Sequence, residues 1–286
     1  MKKVMFMVLA VCLMTACSSD NGEEQSVFSG SPVENETKVT LTFTPYDVSA
    51  MTRAAVSVAD YCTHLDVWIM NGEYVIDVHQ SSSDSGFGSL SVSLNRLKTY
   101  SIVAVAHKCT DNATLSDGTV ISFPDDKVTH SMVYSTTFSP ATTTELSCLM
   151  QRIVGWFRLE IADAVPDNVK KIVYSIPETF NRWNISGTAT NQIDRAGTIN
   201  LTSTNPDGTA NINLYVMPSS LTVTDTYDIT ISARALDDSV IEEKTFEDVP
   251  IRAGYKTTYH GQFFTTKGMS AAFVIDDWSA YDTVDF

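Results

Sequence analysis

The sequence predicts an all-β protein built as two β-sandwiches in tandem. Three observations carry that expectation. Beyond residue 37, run after run alternates apolar with polar residues at a period of two, the pattern of strands with one buried face. Turn-forming groups recur between the runs, among them Asn71-Gly72, Asp117-Gly118, Asn205-Pro206-Asp207-Gly208 and Pro218-Ser219-Ser220. No stretch has the 3.6-residue period of an amphipathic helix. Many short strands with frequent turns make sandwiches or barrels, and roughly fifteen strands exceed one ordinary sandwich.

The elements follow in order. Residues 38–44 alternate, with Val39, Leu41 and Phe43 on one face. Residues 64–70 do the same with Leu65, Val67 and Ile69, and residues 73–79 with Tyr74, Ile76 and Val78. Asn71-Gly72 between these two runs is a hairpin signal, because Asn and Gly accept the positive φ of a type I′ turn. Residues 89–94 and 99–106 read as two further strands. A turn-rich stretch at 108–127, with Asp117-Gly118 and Pro124, precedes a strand at 131–138. Ser139-Pro140-Ala141 and the threonines 142–144 then break the pattern, and the boundary between sandwiches is expected there. The second half opens on the long apolar run 145–161, with Ile153, Gly155, Phe157, Leu159 and Ile161 on one face. Strands are expected after it at 169–176, 183–188, 198–202, 210–217, 227–235, 240–246, 257–265 and 272–278.

The N-terminus has its own logic. Lys2 and Lys3 precede an apolar run at 4–14, too short to span a bilayer as a helix but suited to a secretory signal. It ends in Leu13-Met14-Thr15-Ala16-Cys17, which resembles a bacterial lipobox with cleavage between Ala16 and Cys17. Cys17 would then carry acyl chains. Each buried methylene contributes about 0.8 kcal/mol, so two or three chains hold a protein on a membrane. The small, acidic segment 18–24 reads as a flexible tether. The expected organisation is a signal peptide at 1–16, a lipidated tether at 17–37, a first sandwich at 38–140 and a second at 141–286.

Charge and cysteines bound the function. The net charge of −15 becomes −17 once Lys2 and Lys3 leave, which disfavours nucleic acid and anionic membrane surfaces as partners. Cys62, Cys109 and Cys148 remain in the mature chain. In an oxidising compartment one disulfide can form, and Cys62 with Cys109 is the candidate pair because they flank two strand-rich stretches. Three buried thiols are the alternative.

Catalytic and metal signatures are missing. His64, His79, His107, His130 and His260 do not occur in a two-histidine metal spacing. There is no Gly-x-Ser-x-Gly elbow and no phosphate-cradling glycine loop. Asp111, Asn112 and Asp117 lack the interleaved spacing of a calcium loop. The adjacent pairs Asp125-Asp126, Asp237-Asp238 and Asp276-Asp277 do not suit the paired carboxyls of a glycosidase, because neighbours on a strand point to opposite faces. No enzyme activity, cofactor or metal is expected. Trp68, Trp156, Trp183 and Trp278 could stack sugars, but in strands they are more often core or interface residues.

One constellation is more specific. Leu149-Met150-Gln151-Arg152-Ile153-Val154 opens the second half, residues 249–264 (VPIRAGYKTTYHGQFF) lie near its end, and Phe273-Val274-Ile275-Asp276-Asp277-Trp278 closes it. With the lipobox, these segments resemble the FimB/Mfa-type fimbrillin family of Bacteroidales type V fimbriae. The resemblance implies two transthyretin-like, Greek-key sandwiches. It implies an outer-membrane lipoprotein at the cell surface that acts as an anchor, minor or tip subunit. Its partners would be other fimbrial subunits, the outer membrane through the lipid, and a host glycan or protein.

The resemblance also implies assembly by strand exchange. An arginine-specific protease removes the first strand of stalk and tip subunits, and a strand from a neighbour fills the groove. Here the first strand is 38–44 and the candidate cut lies between Arg53 and Ala54. The C-terminal stretch is the candidate donor strand, with Phe273, Ile275 and Trp278 as its large apolar residues; the alternative is that it is the last strand of the second sandwich. A surface glycan-binding lipoprotein is the alternative function.

Overall fold

The computed structural model describes residues 35–46, 57–72, 74–201, 208–265 and 272–277. Ala16, Cys17, Arg53, Ala54 and Trp278 lie outside the described residues. Within them the chain is all-β, with seventeen strands and two short 3-10 turns.

The first sandwich uses β1 (Glu36–Pro45), β2 (His64–Asn71), β3 (Tyr74–Ser81), β4 (Ser89–Asn95), β5 (Tyr100–His107), β8 (Ser131–Phe138) and β9 (Glu145–Arg152). They form one hydrogen-bonded path in the order β3-β2-β5-β8-β9-β1-β4. The link between β8 and β9 is only two residue pairs, Met132–Arg152 and Val133–Gln151. The path folds over on itself at that narrow link. Leu41 and Phe43 of β1 and Val92 of β4 thereby share a core with Leu65, Val67 and Ile102 of β2 and β5. The alternation legible in the sequence is what puts these residues on one face.

Two local details depart from the expectation. Asn71 stays in the ladder opposite Tyr74, so the hairpin corner falls at Gly72, whose φ of +57° needs no Cβ to be accommodated. Ser139-Pro140-Ala141 is the turn between β8 and β9, closed by Thr142 and Thr143 amides donating to the Ser139 carbonyl. It is not the passage between sandwiches. The run 145–161 is divided instead, because β9 pairs with β1 and β8 while β10 (Gly155–Ile161) joins the second sandwich. Ile153 and Val154 make the passage: the Ile153 amide donates to Ser131, and the Val154 carbonyl accepts from Gly254. Gly155 is required there, since a Cβ would sit 2.7 Å from the Arg252 carbonyl oxygen.

The second sandwich has one sheet in the order β13 (Ala210–Val216), β10, β16 (Tyr255–Gly261), β17 (Ala272–Asp277). The facing sheet holds β11 (Lys171–Asn184), β12 (Thr188–Asn200), β14 (Thr224–Arg234) and β15 (Val240–Arg252). Phe157, Leu159 and Leu214 pack against Ile172, Ile229 and Ile231 between them. The runs 169–176 and 183–188 are not two strands. Most of the first run and the start of the second share β11, which crosses Pro177 by a bulge between Ile176 and Thr179, with Glu178 at φ +55°; residues 185–187 are the turn into β12.

The turn-rich stretch 108–127 carries two short strands that the sequence pattern missed, β6 (Thr114–Ser116) and β7 (Val120–Ser122). They leave the first sandwich and extend the sheet of the second, with β7 paired to β11. A third core fills the junction, with Trp68 and Val105 of the first sandwich, Ile121 and Phe123 of the crossing segment, and Trp156 and Trp183 of the second.

Candidate functional site

β1 is unusual in its surroundings. It runs antiparallel to β4, from Glu36 opposite Asn95 to Thr42 opposite Ser89. On its other side it runs parallel to β9, from Thr40 beside Glu145 to Pro45 beside Met150. Every other strand pair of this sandwich is antiparallel. Val39 and Leu41 are 0% exposed and Phe43 is 2% exposed, so β1 supplies one wall of the core. At 1.5–3 kcal/mol for each buried apolar side chain, the three contribute about 5–9 kcal/mol.

The geometry gives β1 a particular status. It stands between β4 and β9, and β4 has no other strand partner among the described residues. Taking β1 away would expose two unpaired strand edges on either side of an apolar slot. The slot is lined by Leu94, Leu146, Cys148, Met150 and Tyr100 together with the opposite sheet. Cys148 is no reactive thiol in that setting: burial pushes its pKa up to about 12. The chain after the slot is firmly held. Ser57 and Asp60 close a capping box on the turn Val58–Asp60, and Val58 and Cys62 are buried.

The remaining candidate residues fall elsewhere. Phe273 and Ile275 lie on β17, opposite Tyr259 and Thr257 of β16, in the second sandwich and not in the slot. Among the described residues β17 is thus the last strand of the second sandwich and ends its sheet. Cys62, Cys109 and Cys148 are all free and buried, so the candidate pair Cys62–Cys109 is not joined. The two sulfurs belong to different cores: Cys62 faces the His130 carbonyl in the first sandwich, and Cys109 faces the Lys127 carbonyl at the junction. Trp68, Trp156 and Trp183 are buried together at the junction, so they form no sugar-stacking platform.

Two polar clusters at the junction were not legible in the sequence. Asp66 is 0% exposed and accepts from His79 Nδ1 at 2.6 Å, His107 Nε2 at 2.8 Å and the Ala113 amide at 2.8 Å. Burial pulls the His107 pKa down, but its hydrogen bonds to Asp66 and Cys109 outweigh burial and push it up to about 9. The Cys109 amide donates to Nδ1 of the same ring at 3.1 Å, which favours the neutral form. In the second cluster His130 Nδ1 donates to the Tyr61 carbonyl at 3.1 Å, and its Nε2 accepts from Arg152 at 3.3 Å. Burial, then the Arg152 charge, depress the His130 pKa to about 3. Among the described residues no group of three or more His, Cys, Asp or Glu side chains is arranged to hold a metal ion.

No protein-family model matches the chain, and no curated protein matches it by sequence. Its fold does recur among solved structures. A candidate polysaccharide-binding protein from Bacteroides thetaiotaomicron superposes with a TM-score of 0.54 at 10% identity, over 84% of this chain and 96% of that one. A candidate cell-adhesion protein from Bacteroides ovatus gives a TM-score of 0.53 at 11% identity, over 86% and 99%. The fimbrial anchor protein Mfa2 of Porphyromonas gingivalis is a looser match, with a TM-score of 0.45 at 10% identity over 84% and 97%. The class that the first two define is a two-sandwich, all-β fold, and this chain has it from end to end of those proteins.

Proposed function

We propose that this protein is a subunit of a type V fimbria: an exported, lipid-bearing protein of the outer-membrane surface that joins other subunits by strand exchange and supports adhesion. The observation that carries the proposal is β1, a strand wedged parallel to β9 and antiparallel to β4 that fills a core slot with three alternate apolar residues. A strand in that position is replaceable by another with the same alternation, because backbone pairing is independent of sequence and only the inward side chains must fit. The lipobox and the fimbrillin-like segments support the same reading.

In this scheme Cys17 bears the lipid, and a cut between Arg53 and Ala54 frees β1 and the lipid together. The slot between β4 and β9 then receives a strand from a neighbouring subunit. The residues from β17 onward are the donor candidate, a stretch that includes Trp278, with Phe273 and Ile275 as alternate anchors; among the described residues β17 ends its sheet and has one partner strand to leave. A chain that keeps Cys17 acts as the anchor, because its own β1 closes the slot. A glycan or protein of the host is the adhesion target. The glycan-binding alternative loses its main support, since three of its tryptophans are buried.

Intact mass and N-terminal sequencing of protein taken from cell envelopes and from sheared fimbriae test the proposal. A lipidated Cys17 start at the fimbrial base identifies an anchor, and an Ala54 start in sheared fibres identifies an assembled subunit. Recovery solely as a free monomer from a fimbriated strain would refute it.

A further inference from the structure

The passage between the sandwiches is two residues long, yet the contacts across it are extensive. The segment from His107 to Ser131 leaves the first sandwich, lays β7 against β11, and returns. Its outgoing leg is pinned at Asp66, which holds the Ala113 amide, and at Thr129, whose hydroxyl accepts from the Lys108 amide. At the crossing, Ile121 pairs with Trp183 and Ser122 with Arg182, and the Ile185 amide donates to the Thr119 carbonyl. Ile121 is 0% exposed and shares the junction core with Trp68 and Trp183. The returning leg is held from the second sandwich: Asn181 donates to Asp126 at 2.8 Å, and Arg195 reaches from β12 to the carbonyls of Val128 and Tyr215.

We infer that the segment 108–130 is a strap that makes the two sandwiches one rigid, cooperative unit. A short linker with a wet interface would let two sandwiches swing and unfold independently. Here the interface is a hydrophobic core of its own, and a strand donated by one sandwich is part of the other's sheet. Removing either sandwich strands buried apolar and hydrogen-bonding groups of its partner, which couples their unfolding. The strap acts independently of strand exchange at β1, so its test does not depend on the fimbrial proposal.

Hydrogen exchange of the full chain through a urea series, read by mass spectrometry, tests the strap. Peptides from β4 report the first sandwich and peptides from β13 the second. In the wild type both lose protection at one urea concentration. Ile121→Asp buries a charge under the strap and separates the two midpoints by at least about 0.5 M. Arg195→Met keeps the alkyl stem of a partly exposed side chain and separates them in the same direction by less, so it decides the matter if Ile121→Asp does not fold. Two separate midpoints in the wild type overturn the inference. So do coincident midpoints in every variant that folds.

Discussion

His130 makes the stability of this protein sensitive to mild acid. Its ring is buried, donates to the Tyr61 carbonyl and accepts from Arg152, an arrangement that only the neutral imidazole satisfies. Its folded-state pKa of about 3 lies below the ordinary value of 6.5. A histidine depressed in this way leaves stability intact above pH 6.5. Stability falls as pH drops, because the unfolded chain takes up a proton that the folded chain refuses. Between pH 6.5 and 4.5, one such proton costs about 2 kcal/mol. Carboxylates add their own acid dependence, so the measurement is a difference. His130→Gln keeps an amide donor and a carbonyl acceptor but cannot titrate. Urea unfolding of both proteins at pH 6.5, 5.5 and 4.5 should show the wild type losing about 2 kcal/mol more than the variant over that range. Parallel pH profiles would refute the buried, neutral assignment.

Three further outcomes follow from the same contacts. Phe43→Ala, at a 2% exposed position in the slot, should destabilise the protein by about 3–5 kcal/mol in chemical denaturation. An effect below about 1 kcal/mol would mean that β1 does not carry its core. Asp163 accepts from the backbone amides of Phe263, Phe264 and Thr265, fixing the chain that leads toward β17. Asp163→Ala should cost about 1–3 kcal/mol and raise amide exchange at 263–265, where unchanged protection would exclude the clamp. Unreduced protein, denatured and treated with a thiol reagent, should titrate Cys62, Cys109 and Cys148 as free thiols, and a shortfall of two would restore the disulfide.

Much of the first sandwich was legible in advance because strand alternation is local. Val39, Leu41 and Phe43 fall on the buried face as their spacing requires, and Leu65, Val67 and Ile69 do the same on β2. Where local signals misled, the cause was longer range. Ser139-Pro140 looks like a linker, yet a proline turn serves equally well inside a sandwich. The apolar run 145–161 reads as one strand, and it is divided by its partners, β1 and β8 for β9 but β13 and β16 for β10. β6 and β7 are three residues each, too short for a periodic signal, and exist because β11 offers an edge to pair with.

The sequence by itself determined the all-β class, the number of sandwiches and the faces of the main strands, all of which depend on residues near one another in the chain. Only the tertiary structure decided that β1 sits between β4 and β9, that β9 belongs to the first sandwich, and that Asp66, His130 and Arg152 are buried at a junction between the two. Those features are matters of partnership. A strand's pattern shows which face it must bury, but backbone hydrogen bonds are alike in every strand, so the pattern is silent on which neighbour provides them. A buried charge is likewise tolerable only where distant residues supply its partners.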